Sequence, residues 1–289
     1  MPDKNPYDRD CFSILETLDV ATGARTVLQE FDHVIEAPNW LPNGRQLLYN
    51  ALGSLWLFDL EAKESRKIDT GACDRCNNDH VLSPDGAYIG LSCGGADSQV
   101  YIVPITGGQP RRVTPNSPSY LHGWSPDGKS LAYCAFRDGG KDIYTIPVEG
   151  GQEVRLTNAP GLNDGPEYSP DGQYIWFNSE RSGLMQLWRM RPDGSGQEQM
   201  TTDENSNSWF AHFSPDGSQV AYISYKKGDV APGDHPANKN VELRLMGAQG
   251  GGYRVLCQLF GGQGTLNVNS WSPCGEKLAF VSYRLRDGS

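Results

Sequence analysis

The sequence predicts an all-β fold, a six-bladed β-propeller of four-stranded antiparallel blades, on three observations. The first is a pentapeptide written six times: an apolar or aromatic residue, a small or apolar one, Pro, a turn residue and Gly. The copies are Trp40-Leu41-Pro42-Asn43-Gly44, Leu82-Ser83-Pro84-Asp85-Gly86, Trp124-Ser125-Pro126-Asp127-Gly128, Tyr168-Ser169-Pro170-Asp171-Gly172, Phe213-Ser214-Pro215-Asp216-Gly217 and Trp271-Ser272-Pro273-Cys274-Gly275. Their prolines stand 42, 42, 44, 45 and 58 residues apart, a period in the range of propeller blades. The second is what lies between copies: short runs of alternating β-branched and aromatic residues bounded by turn signals. The third is that the two chain ends complement each other.

The blades are expected over about 34–70, 75–114, 118–157, 160–201 and 205–257, with a sixth built from 265–284 plus 11–31, in a single domain spanning 1–289. Blade three shows the unit. His122-Gly123-Trp124 leads into the Ser-Pro-Asp-Gly turn, and Ser130–Cys134 returns. Asp142–Pro147 makes a third strand, and after Glu149-Gly150-Gly151, Glu153–Leu156 a fourth. Proline presets φ at the second turn position and glycine accepts the positive φ that closes the hairpin. The aromatic residue before the turn is expected to pack between neighbouring blades. After the last copy only two strands' worth of chain is left. Phe12–Asp19 and Thr26–Glu30 read as the missing third and fourth strands, so the N-terminus is expected to close the ring and remove open sheet edges.

Composition narrows the function. A net charge of −10 argues against nucleic acid, because phosphate binding needs a basic face. No apolar run approaches membrane-spanning length, so no membrane partner is expected. Met1–Pro6 carries no apolar core of a secretory signal. Seven cysteines at irregular spacing read as reduced thiols rather than a disulfide framework. The expected location is the cytoplasm, or the periplasm if a leader has been removed.

The Ser-Pro-Asp-Gly repeats resemble those of the propeller domain of TolB and its relatives, a WD40-like repeat family, over about residues 12–284. The resemblance implies the fold but leaves function open. Related propellers include peptidase regulatory domains, scaffolds and sugar lyases such as oligogalacturonate lyase. TolB itself has a signal peptide and an N-terminal α/β domain, neither expected in this sequence, so its periplasmic transport role is not carried over.

Strand order sorts the loops. The repeat turns and the loops between third and fourth strands share one face, called the bottom. Loops entering first strands and those between second and third strands form the top. His33, His80, His122, His212 and His235 all fall on the top. Four residues before each turn proline stand Pro38, His80, His122, Pro166, Ala211 and Asn269. Six before it stand Glu36, Asn78, Tyr120, Asp164, Trp209 and Asn267. Both sets are expected to ring the upper mouth of the central channel.

Such a mixture suits a small polar ligand, a carbohydrate or sugar acid. Carboxylates and amides hold hydroxyls, Tyr120 and Trp209 offer stacking faces, and Arg137, Arg181 and Lys239 offer charge for a uronate carboxylate. Two chemistries are open. His80, His122 and His212 at the mouth suit a divalent metal ion, with Asp79 or Asp164 completing its shell, for metal-assisted elimination. Alternatively, Glu36 and Asp164 suit the acid–base work of a hydrolase. The competing reading is a non-catalytic scaffold for a protein or peptide partner. Residues 226–240, an insertion in blade five, are expected to form a lid or ligand contact bearing His235 and Lys239. The glycines of Phe260–Asn269 are expected to let backbone approach the pocket, with Gln263, Asn267 and Asn269 offering amides. Cys73-Asp74-Arg75-Cys76 reads as a compact turn, with half a zinc site or a reversible disulfide as alternatives.

Overall fold

The computed structural model describes residues 11–286, so the expectation about Met1–Pro6 falls outside it. Six antiparallel blades follow one another round a central axis. Blade one runs Ile35–Trp40, Gln46–Ala51, Ser54–Asp59 and Ser65–Lys67 from axis to rim. Blade two is Cys76–Leu82, Tyr88–Cys93, Gln99–Pro104 and Arg111–Arg112. Blade three is Ser119–Trp124, Ser130–Arg137, Gly140–Pro147 and Val154–Arg155. Blade four is Asn163–Tyr168, Ile175–Ser179, Gln186–Met190 and Glu198–Gln199. Blade five is Ser206–Phe213, Gln219–Lys226, Lys239–Gly247 and Tyr253–Gly261.

The sixth blade is stitched from both ends, as the sequence predicts. Cys11–Asp19 lies against Lys277–Leu285 in unbroken register, from Cys11 opposite Leu285 to Asp19 opposite Lys277, and Arg25–Phe31 forms the rim. Its innermost strand shrinks to one bridge between Trp271 and Leu278. At the seam, buried Glu16 takes the exposed Arg25 through Nη2 at 2.5 Å and Ser282 Oγ at 2.5 Å, so the closing sheet also carries a half-buried ion pair.

The repeat turns follow one chemistry. In blade two the Ser83 hydroxyl donates to Asp85 at 2.6 Å, Asp85 accepts from Ala87 N–H, and Ser83 Oγ accepts from Tyr88 N–H. Ser125/Asp127, Ser169/Asp171 and Ser214/Asp216 repeat the hydroxyl–carboxylate bond. Gly86 has φ +69, and its α-carbon faces the Pro42 ring of the preceding blade so closely that a Cβ would lie 2.9 Å from it. Aromatic residues before the turns wedge between blades. Phe213 meets Trp176 of blade four edge-on at 5.4 Å, and the Trp271 indole donates to the His212 carbonyl of blade five at 3.0 Å.

Every innermost strand of blades one to five carries a register shift before its turn: Glu36/Asn39, Cys76/His80, Leu121/Gly123, Asp164/Glu167 and Trp209/His212. In blades one, four and five it centres on a residue of positive φ: Ala37, Gly165 and Phe210. A bulge of this kind re-aims the side chains that follow it. That decides what the channel contains.

Candidate functional site

Because of the bulges, two groups of side chains meet on the axis instead of one ring. The lower group comes from positions three before the turn proline. His212 Nδ1 bonds Glu167 Oε2 at 2.6 Å and its Nε2 bonds the Leu266 carbonyl at 3.1 Å. Glu167 Oε1 accepts the Phe213 N–H at 2.9 Å and the Asn269 amide at 2.8 Å. Asn39 donates to the Asn269 carbonyl. Glu167 was not singled out from sequence, although counting three back from each proline lines it up with Asn39 and His212.

The upper group is looser. His122 Nε2 lies 3.4 Å from Asp164 Oδ1 and 3.6 Å from Asp79 Oδ1. Asn267, from the loop entering blade six, crosses to blade two and donates to Asp79 at 2.9 Å and to the Asn78 carbonyl at 3.1 Å. Glu36 completes the group, packed round by protein while keeping some solvent contact. Burial and then the nearby Asp79 charge push its carboxyl up to about 7. Burial likewise raises Asp79. Tyr120 is half-buried, its hydroxyl pushed up to about 12 by burial and then by Asp79.

The insertion folds over this end. His235 lies 4.2 Å from the Trp209 ring and 5.3 Å from that of Phe210, while Phe210 stacks on His122 at 5.6 Å. Burial pushes His235 down to about 4, and its buried Nδ1 has no hydrogen-bond partner. The Pro236 carbonyl accepts the Tyr225 hydroxyl at 3.1 Å and presses on Gly262, where a Cβ would come within 2.2 Å of it. A Cβ on Gly264 would fall 2.6 Å from Glu36 Cγ. These glycines are thus the close backbone approach that the sequence suggests.

Several expected ligand contacts are placed otherwise. Trp209 is fully buried beneath His235, so it offers no stacking face. His80 is fully buried beside the Ala37 backbone, and burial pushes it down to about 4. Arg137 is held by Glu153 at 2.7 Å, Ser119 Oγ at 2.8 Å and the Pro118 carbonyl at 2.7 Å. Arg181 is spent on Ser179, Gln197 and Asn163 and lies over the Trp188 ring at 4.7 Å. Lys239 reaches the Asp229 carbonyl at 3.3 Å within the insertion. Asn269 is committed to Glu167 and the Phe213 carbonyl, and Gln263 sits half-buried in the short 3-10 turn Gln263–Thr265. His33 pairs with Asp32 at 2.9 Å.

The three histidines expected to share a metal ion do not converge. Among the described residues no set of three or more His, Cys, Asp or Glu side chains is arranged to hold one. The residues present do not fit a bound divalent ion, and both ring nitrogens of His212 are already engaged. Two surface grooves, of about 710 and 760 Å³, lie away from the mouth. One is between the bottom turns of blades two and three, the other on the outer strands of blade five.

The description "TolB beta propeller domain" (PD40) matches residues 116–249. The uncharacterized protein Atu1656 of Agrobacterium fabrum is 47% identical over 274 residues, covering 94% of this chain and 92% of that protein. A solved structure described as putative TolB from Agrobacterium tumefaciens superposes with a TM-score of 0.90 at 46% identity, over 96% of this chain and 99% of that one. The chain belongs to the TolB-like β-propeller family. The Tol-Pal system protein TolB of Francisella tularensis is 27% identical over 230 residues, 75% of this chain but 52% of that protein, so the TolB-like chain spans about half the length of that relative. An oligogalacturonate lyase in complex with manganese shares the fold at a TM-score of 0.55 and 16% identity, over 86% of this chain and 73% of that one. No helix among the described residues is long and apolar enough to cross a membrane.

Proposed function

We propose that this TolB-like propeller is a binding module whose upper channel mouth, under the insertion, receives a protonated amine of a small polar ligand. The observation that carries the reading is the meeting of Asp79 and Asp164 at the His122 imidazole, with Glu36 near Asp79, while Arg137 and Arg181 are committed elsewhere. Like charges held together in a desolvated site raise each other's pKa, and a cation placed among them relieves that cost. A uronate would instead add a fourth negative charge, so within the carbohydrate class the mouth suits an amino sugar better than a sugar acid. The metal-assisted lyase reading draws less support, because its three histidines lie in separate environments. A hydrolase reading keeps Glu36, whose carboxyl is pushed up to about 7. The reduced thiols suit a reducing compartment such as the cytoplasm.

Thermal-shift titration with glucosamine and with galacturonate tests this. The expected result is stabilisation by the amine, none by the uronate, and loss of the amine effect in Asp164→Asn. Stabilisation by galacturonate alone, or its turnover, overturns the proposal.

A further inference from the structure

Away from the mouth, blade two sets the Cys73-Asp74-Arg75-Cys76 pair against a third thiol, Cys93, from the next strand. Cys73 and Cys76 lie in the loop and at the start of the innermost strand, and Cys93 ends the next strand. The thiols of Cys73 and Cys76 both face the Cys93 sulfur. Cys76 and Cys93 are direct cross-strand partners. Gly94 N–H donates to the Arg75 carbonyl at 3.2 Å, so the bond joins the residues flanking the pair. That makes Cys76 and Cys93 a non-hydrogen-bonded pair, the type whose Cα atoms approach to about 4.5 Å, inside the range a disulfide spans.

We propose that Cys73, Cys76 and Cys93 form a dithiol–disulfide exchange site, with Cys93 the attacking sulfur and Cys76 its resolving partner. Three features favour Cys93. It is the least buried of the three, 9% exposed against 3% and 5%. The neighbouring Cys73 and Cys76 thiols, packed with it in one cluster, hold it below the usual cysteine range and are themselves pushed up. It also lies near the Arg75 guanidinium, which favours the thiolate. Gly94 and Gly95, both at positive φ, follow it and leave no Cβ between the loop and Arg75.

The oxidant is a low-molecular-weight disulfide. The Cys93 thiolate attacks one of its sulfurs, forming a mixed disulfide and releasing one thiolate. Cys76, giving its proton to that thiolate, then attacks the Cys93 sulfur and expels the second. Two protein thiols are oxidised and one small disulfide becomes two thiols, so atoms and electrons balance. Cys73 is placed to attack the same Cys93 sulfur, so the bond exchanges between two partners. The site does not depend on what the mouth binds.

The test uses the folded protein carrying Cys274→Ser, which removes the exposed thiol on the sixth repeat turn. It is treated with oxidised glutathione, alkylated, and mapped without reduction. The expected result is loss of two of the six thiols left from seven, and a peptide joining Cys76 to Cys93. The intermediate should carry glutathione on Cys93, formed at least about tenfold faster than on half-buried Cys257. Cys76→Ser should move the link to Cys73–Cys93, and Cys93→Ser should abolish both species. An unchanged thiol count, a Cys73–Cys76 link, or oxidation of Cys93→Ser at the parent rate overturns the proposal. The peptide map of the parent decides the matter even if Cys93→Ser does not fold.

Discussion

The channel holds two histidine–carboxylate groups a few residues apart, and they are built on opposite terms. In the lower one, His212 has an acceptor at each ring nitrogen, and Glu167 is met by imidazole, amide and backbone N–H. In the upper one, His122 stands 3.4 and 3.6 Å from two carboxylates and a third lies close by, while each group leaves one buried side-chain amide oxygen without a partner, Asn39 below and Asn267 above. A satisfied buried network rigidifies a core, whereas a partly satisfied one is costly. The lower group ties blades four, five and six together through one carboxylate, and the upper group carries a crowding of like charge that the proposed amine would relieve. Removing a carboxylate charge should accordingly cost stability below and cost little, or add to it, above.

The largest effect belongs below. Glu167→Ala leaves the His212 imidazole, the Phe213 N–H and the Asn269 amide without their acceptor at once. Removing one partner of a buried, hydrogen-bonded pair costs roughly 3 to 5 kcal/mol. Urea unfolding at pH 7.5 should show a loss of that order. A loss below about 1 kcal/mol would mean that the lower group is no more structural than the upper, and the comparison would fall.

Glu36→Gln should act the other way. The Glu36 carboxyl sits at about 7 in the folded protein against about 4.3 when unfolded. A raised carboxyl pKa means that its favourable contribution is present at low pH and is lost as pH rises through 7. At pH 8 the native protein holds an ionised, poorly solvated Glu36, and the amide relieves that by on the order of 2 kcal/mol. Thermal unfolding should show Glu36→Gln more stable than the parent at pH 8, with little difference at pH 4.5. This is the expected trade between stability and a binding site.

The insertion carries a second titration, with the reverse pH dependence. His235 sits at about 4 when folded against about 6.5 when unfolded. Its stabilising share is complete above pH 6.5 and is lost as pH falls toward 4. His235→Phe keeps a ring against Trp209 and Phe210 and removes the unpartnered Nδ1. At pH 5 it should gain roughly 1 to 2 kcal/mol over the parent, with little change at pH 7.5. His80, also pushed down to about 4, leaves a residual acid sensitivity. An acid profile unchanged by the substitution would mean that the insertion opens before His235 titrates.

How legible these two groups were differs for a physical reason. The Ser-Pro-Asp-Gly turns are local chemistry: Ser83 bonds Asp85 and Tyr88 within five residues, so the blades and the closing strands could be read from the chain. The mouth depends on where the innermost strands bulge. Counting by twos from Glu36 or Trp209 assumes an unbroken pleat, but the chain passes through positive φ at Ala37 and Phe210, and neither residue type announces it. Only Gly165 does. Glu36 and Asp164, above the bulge, fall on that count, whereas Glu167, below it, does not. Cys93 was overlooked for a related reason, since its partners are adjacent only through strand pairing. Trp209 lies on the top, as the strand order expects, but beneath the insertion, whose path is fastened by the neighbouring Tyr225 hydroxyl and by Gly262, far along the chain.

The smallest expected change makes the sharpest test of the upper group. Asp164→Asn keeps an oxygen for the Gly165 N–H, which the aspartate now accepts at 2.7 Å, and removes only a charge 3.4 Å from His122. Asp79 still faces the same nitrogen, and one fewer negative charge stands among the three. These changes offset, so stability at pH 7.5 should stay within about 1 kcal/mol of the parent. Stabilisation by glucosamine, by contrast, should fall at least about tenfold in apparent affinity, because a charge-assisted contact is lost. Stability and binding thus separate at Asp164, as they do not at Glu167. If Asp164→Asn unfolds the protein as severely as Glu167→Ala does, the upper carboxylates are fastenings like the lower one, and the mouth has no charge to spare for a ligand.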